Sequence, residues 1–169
     1  EHIELPLSSK NPFTMHKNFN SLSSIIYDRK VDIVHARSRA PAWSAYYASK
    51  RFDTNFVTTF HGTYNYKDFI KKKYNSIMTK GKRVIAISKF IKNHIIEKYG
   101  IEAEKIVKIP RGIDLNSFDP TKVSHERIIQ LSNSWRLSDG TQIIMLPGRL
   151  ARWKGHKVLI EALGKLKRR

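Results

Sequence analysis

Four short apolar runs recur along the chain: VDIVH (31–35), NFVTTF (55–60), RVIAI (83–87) and KIVKIP (105–110). Between them lie stretches with helical spacing, and this alternation constrains the fold more than any other feature. Strands separated by a helix pair in parallel through a crossover, and such crossovers are right-handed. The runs are short and rich in β-branched residues, the pattern of strands buried on both faces of a parallel sheet. Pro110 stops the fourth run, because it has no amide to give to a ladder.

The intervening helices can be placed from apolar spacing and end signals. Phe13, Phe19, Leu22, Ile25 and Ile26 predict a helix over 12–29. Others are expected over 40–51 and 64–79, and a fourth over 88–100, with Ser88 as its N-cap and Gly100 as its stop. Beyond Pro110 the character changes. RGIDLNSFDPTKVS (111–124) is dense in turn residues and reads as a linker. A helix over 125–137, a strand QIIML (142–146) and a helix over about 155–167 follow. The expected organisation is a partial first domain over 1–110, a linker and helix over 111–141, and the incomplete start of a second domain over 142–169.

Composition excludes several chemistries. Cysteine is absent, which rules out disulfides, thiolate catalysis, Cys–zinc sites and iron–sulfur clusters within this chain. No apolar run approaches the roughly 18–20 residues that cross a bilayer, and EHIELPLSSK lacks the pattern of a secretory leader. The expected location is therefore the cytoplasm, with peripheral contact to the inner face of the membrane. Lys and Arg number 32 against 14 Asp and Glu, a formal charge of +18. A surface so charged attracts polyanions: nucleic acid, phosphorylated substrates or an acidic membrane. The charge is spread over both parts of the chain, densest in KDFIKKKY (67–74) and then in KLKRR (165–169).

The chemistry-bearing motifs follow the ends of the apolar runs, where open parallel sheets bind their ligands. In LPGRLARWKGH (146–156), Gly148, Arg149 and Lys154 lie between a strand and a helix. A helix N-terminus with a guanidinium and an ammonium beside it suits a diphosphate. The alternative is three basic residues in an ordinary surface loop. His61 and Gly62 follow the second run, where the imidazole can accept or transfer a proton and the glycine can let a backbone approach closely. Ser88 sits at a strand–helix junction and reads first as a cap. Arg111 and Gly112 end the fourth run, where the glycine can take a positive φ. There is no H-E-x-x-H or Asp-x-Asp motif and no pair of carboxylates spaced for acid–base work.

Taken in order, VDIVHARS, VTTFHGT, RVIAISKFIKNHIIEKYGIEAEKIVKIPRGIDLNSFDP and IIMLPGRLARWKGHKVLIEAL resemble the family 4 glycosyltransferases, from about residue 31 to the end. The resemblance implies a retaining enzyme of GT-B fold: two Rossmann-like α/β domains facing a cleft, each built on a parallel sheet. This chain would hold part of the N-terminal, acceptor-side domain and the first β-α unit of the C-terminal, donor-side domain. It further implies a nucleotide-sugar donor whose diphosphate is held by Gly148, Arg149 and Lys154. His61 would stand near the transferred sugar as the catalytic residue, with Gly62, Ser88, Arg111 and Gly112 lining the cleft. No metal or other cofactor is expected. The acceptor would be a glycan or a lipid-linked molecule of the cell-envelope polysaccharide type, with an anionic membrane surface as a further partner.

Two departures from the family bear on activity. Arg111 stands where many members have Asn. The Gly-rich loop after the first strand and the E-x7-E glutamate pair, which grips the donor in full-length members, do not occur in this sequence. The chain is thus expected to be inactive alone, as an incomplete or split-gene piece, with a second chain supplying the rest of the donor domain. The competing reading is a basic nucleic-acid-binding α/β module without catalysis. The spread of charge argues against it, because nucleic-acid binders gather charge on one face, and no specific nucleic acid is expected.

Overall fold

The computed structural model describes residues 1–166. Residues 167–169, which carry the end of KLKRR and the last residue expected of the final helix, lie outside the described residues. The chain divides into two compact units, Glu1–Ile113 and a second that begins at Asp114.

The first unit is a four-stranded parallel sheet of β1 (Ile33–Ala36), β2 (Asn55–Phe60), β3 (Arg83–Ala86) and β4 (Ile106–Lys108), in the order β1-β2-β3-β4. The helices are α1 (Pro12–Asp28), α2 (Arg39–Arg51), α3 (Phe69–Asn75) with a 3-10 turn over Ser76–Thr79, and α4 (Lys89–Tyr99). Helix ends follow local chemistry. Asn11 caps α1 through its side chain, which accepts from the Phe13 amide at 2.9 Å, and Pro12 opens the first turn. Ser88 caps α4 by accepting from the Ile91 amide at 3.1 Å, and Gly100 ends it at φ 65°. The helix expected over 64–79 is much shorter. Asp68 caps α3 by accepting from the Lys71 amide at 2.7 Å, so the helix starts only at Phe69. The buried Asn75 carboxamide holds the preceding loop by donating to the carbonyls of Tyr64 and Asn65.

The expected cover on both faces is met by the central strands β2 and β3 but not by the outer strands β1 and β4. Every strand pairs with its sequence neighbour, so right-handed crossovers place α2, the Ser76–Thr79 turn and α4 on one side. Ala36, Phe56, Phe60, Val84, Ala86 and Ile106 point to that side. They pack against Ala42 and Ala45 of α2, Ile77 and Met78 of the turn, and Ile91 and Ile95 of α4. On the opposite face Thr59 of β2 is buried and Val57 and Ile85 are half-buried, while Ile33 of β1 and Val107 of β4 are 60% and 40% exposed. Small residues let α2 lie close to both the sheet and α1. Ala42, Ser44, Ala45, Ala48 and Ser49 are buried, and the Ser44 hydroxyl donates to the Met15 carbonyl at 2.9 Å. Phe13, expected in the apolar stripe of α1, projects into solvent from its first turn.

Gly81, just before β3, is where backbone crowding demands glycine. A Cβ there would lie 2.6 Å from the Arg83 carbonyl oxygen and 3.1 Å from the Thr58 nitrogen. Gly81→Ala is expected to destabilise the first unit by about 1–3 kcal/mol through backbone displacement. An unchanged thermal midpoint would contradict this close approach.

The second unit contains α5 (His125–Ser134), a 3-10 turn over Arg152–Lys154 and α6 (His156–Leu166). Ser124 caps α5, its hydroxyl accepting from the Arg127 amide at 3.3 Å. The expected strand over 142–146 forms no ladder among the described residues. Backbone amides and carbonyls need a neighbouring strand, and the described residues of this unit supply none. Ile143, Ile144 and Met145 are consequently exposed.

Candidate functional site

The C-terminal edge of the sheet in the first unit gathers cationic and imidazole side chains from three strands. Arg37 follows β1 directly, His61 follows β2, and Arg111 lies three residues past β4. The Arg37 Nε donates to His61 Nε2 at 3.2 Å. On the other side of the ring, Arg111 Nη2 lies 3.1 Å from His61 Nδ1. A neutral imidazole has one acceptor nitrogen and one N–H, and guanidinium is a donor only. Only one of these contacts can be a hydrogen bond at a time. Burial, and then the charges of Arg37 and Arg111, push the His61 pKa down from its ordinary value, which favours the neutral ring. Neutral His61 can accept a hydrogen bond or a proton.

His35, on β1, has its Nε2 2.7 Å from the Thr59 hydroxyl of β2. Its pKa is also lowered, by burial first and then by Arg37. Gly62 and Gly112 have no atom within 4 Å of where a Cβ would stand. Gly112 does not use the positive φ open to a glycine; among the described glycines only Gly100, Gly140 and Gly155 do. The Ser88 hydroxyl is occupied as the cap of α4. The sequence reading thus found His61 and Arg111, which meet, but passed over Arg37. Its signal was available: Arg37 holds the same place after β1 that His61 holds after β2.

A second cationic residue missed in the sequence lies nearby in the chain. Arg39, at the start of α2, donates to Asn75 Oδ1 at 2.7 Å and lies 4.7 Å above the centre of the Tyr64 ring. It lines a cavity of about 1100 Å³ with Lys10, Tyr64, Lys71 and Tyr74.

In the second unit, the loop before α6 folds back on itself. A Cβ on Gly148 would stand 3.8 Å from both Lys154 Cδ and His156 Cε1. Gly155, at φ 79°, turns the chain into α6, and the Leu159 amide closes its first turn on the Gly155 carbonyl at 3.1 Å. Lys154 Nζ lies 4.4 Å from the Trp153 ring centre. His156 Nδ1 is buried without a hydrogen-bond partner. Gly148, Lys154 and His156 are thereby brought together at the helix start. Arg149 is exposed and forms no ion pair among the described residues.

This order of elements and motifs has known counterparts. The sequence model of Glycosyltransferase Family 4 matches residues 1–117. The chain belongs to glycosyltransferase family 4. A glycosyltransferase from Rickettsia africae ESF-5 superposes with a TM-score of 0.84 at 48% identity, over 99% of this chain and 44% of that one. Anabaena Alr3699/HepE, solved in complex with UDP-glucose, shares the fold with a TM-score of 0.70 at 21% identity, over 90% of this chain and 40% of that one. A UDP-N-acetylglucosamine 2-epimerase from Rickettsia bellii shares the fold more distantly, with a TM-score of 0.53 at 15% identity, over 78% of this chain and 35% of that one. No curated protein sequence matches the chain. This family 4 chain therefore spans less than half the length of these solved structures. Its parallel α/β architecture is the one expected of a GT-B glycosyltransferase.

Proposed function

We propose that this chain is part of a retaining glycosyltransferase that moves a hexose from a nucleotide-sugar donor to a glycan or lipid-linked acceptor of the cell envelope. The observation that carries the reading is the meeting of His61, Arg37 and Arg111 at the C-terminal ends of the strands, in a family 4 chain. The donor is a nucleoside diphosphate sugar, as in the UDP-glucose complex of the Anabaena structure. Its departing diphosphate gains negative charge as the glycosidic bond breaks. Arg149, Lys154 and the amides at the start of α6 offset that charge without a metal ion, and fixed cations of this kind favour a transition state more than a ground state. Neutral His61 accepts a hydrogen bond from the sugar or from the incoming hydroxyl once the substrate takes the place of the arginine at its acceptor nitrogen.

The chain spans 44% of the length of the Rickettsia africae structure, and in this proposal sugar transfer needs that whole length, so the 169-residue chain alone is expected not to turn over. The decisive experiment is sugar transfer from a nucleotide sugar. It compares this chain alone with the same segment completed to the length of its solved relatives. Turnover in the completed form supports the reading. A correctly folded completed form that consumes no nucleotide sugar and binds none overturns it.

The acceptor side faces a membrane in this proposal. Phe69 and Ile70 on α3 are 78% and 80% exposed, and Lys67, Lys71, Lys72 and Lys73 flank them. An apolar pair ringed by lysines suits the headgroup layer of anionic lipid, each cation adding about 1 kcal/mol near such a surface. Co-sedimentation with phosphatidylglycerol vesicles is expected, with little on phosphatidylcholine vesicles. Phe69→Ser with Ile70→Ser should weaken it. Equal binding to both vesicles, or binding indifferent to the double substitution, would remove the membrane from the scheme.

A further inference from the structure

We propose that Arg37 and Arg111 form a two-armed clamp, with His61 between them, that binds a phosphate group carried by the acceptor. This rests on the reading of the first unit as the acceptor side. Four observations support it. The two guanidiniums come from the ends of β1 and β4 and approach opposite nitrogens of one imidazole, at 3.2 Å and 3.1 Å. The ring can accept from one of them only, so a second set of guanidinium donors is left without an acceptor there. Among the described residues, no carboxylate pairs with either arginine. Both arginines are solvent-exposed, so a ligand can reach them.

The missing partner is an anion. Guanidinium forks match phosphate oxygens in pairs. A terminal phosphate presents three oxygens, enough to accept from both forks and from the His61 N–H together; a carboxylate has only two. In the function proposed above, the donor diphosphate is held by Arg149 and Lys154, which belong to the second unit. The clamp in the first unit is therefore left for the other substrate. An acceptor that ends in a phosphate monoester, such as a sugar phosphate, carries that group.

The test is direct binding, read at the imidazole. The chain has seven histidines, and the ring signals of His61 in an isotope-labelled sample are identified by their loss in His61→Gln. Butyl phosphate, inorganic pyrophosphate and UDP are titrated separately at about 0.15 M salt, where loose surface association is screened. Butyl phosphate is expected to move the His61 titration midpoint upward by about one pH unit, because a bound anion favours the imidazolium. Arg37→Gln with Arg111→Gln should abolish that movement while leaving the core resonances in place. The paired lysine variants should retain part of it and bind at least about tenfold more weakly, since they keep the charge and lose the fork. The proposal is overturned if butyl phosphate leaves His61 unmoved, if the movement survives the double glutamine variant, or if only UDP produces it. None of these outcomes depends on sugar transfer. Failure of the clamp and failure of the transferase reading are thereby separable.

Discussion

Phe60→Ala is expected to lower the stability of the first unit by about 3–5 kcal/mol, the usual cost of emptying a buried aromatic site. Phe60 is fully buried at the end of β2. Its ring lies 4.9 Å from that of Tyr64 and 5.9 Å from that of Tyr99, measured between centres. It therefore ties the sheet both to the loop after β2 and to the end of α4. The Tyr99 hydroxyl reinforces the link by donating to the Tyr64 carbonyl at 2.6 Å. A cavity here cannot collapse easily, because strands and helix hold it on several sides. Chemical denaturation followed by tryptophan fluorescence or circular dichroism reads the loss. A change under about 1 kcal/mol would mean that this junction is not the centre of the core. Phe60 also precedes His61 directly, so the same substitution should broaden the His61 ring signals.

Lys154→Ala, in the chain completed to the length of its solved relatives, is expected to reduce turnover by roughly 30-fold or more. That corresponds to about 2 kcal/mol or more of lost transition-state stabilisation. The reasoning is geometric as well as electrostatic. Lys154 packs its stem near Gly148, one residue before the start of α6 is set by Gly155. Its ammonium rests 4.4 Å from the centre of the Trp153 ring, a contact that limits its wandering. Saturating the assay with donor separates the two ways the lysine could act. A fall in kcat supports a role in the departure of the diphosphate, and a rise in KM alone indicates ground-state binding only. Unchanged kcat and KM would remove Lys154 from the donor site.

Much of the fold was legible in the residues. The four strands of the first unit fall where β-branched runs place them, because those runs are short and sharply bounded. The cap at Ser88 and the stop at Gly100 were readable from type alone, since each supplies a local interaction that few other residues can. The loop over 61–68 was not. Its helical-looking aromatics are held in irregular backbone by Asn75, ten and eleven residues further on, and a single asparagine leaves no periodic mark in the sequence. Cover on both sheet faces holds for the central strands and fails at the outer ones, because strand composition does not reveal a strand's lateral place in the sheet. At the site, single motifs pointed to His61 and Arg111 separately. Their meeting with Arg37 depends on the lateral order of the strands, which only the assembled sheet displays.

That lateral order bears on how the protein comes to be built. Paired strands lie roughly 22–26 residues apart in sequence, so no pairing waits for a remote segment. Closing such modest loops costs little entropy beyond that of a hairpin a few residues long. The sheet can therefore zip from β1 toward β4 as the polypeptide leaves the ribosome, each new strand finding its neighbour already in place. The arginine–histidine cluster would be assembled only at the final step, when β4 docks and delivers Arg111.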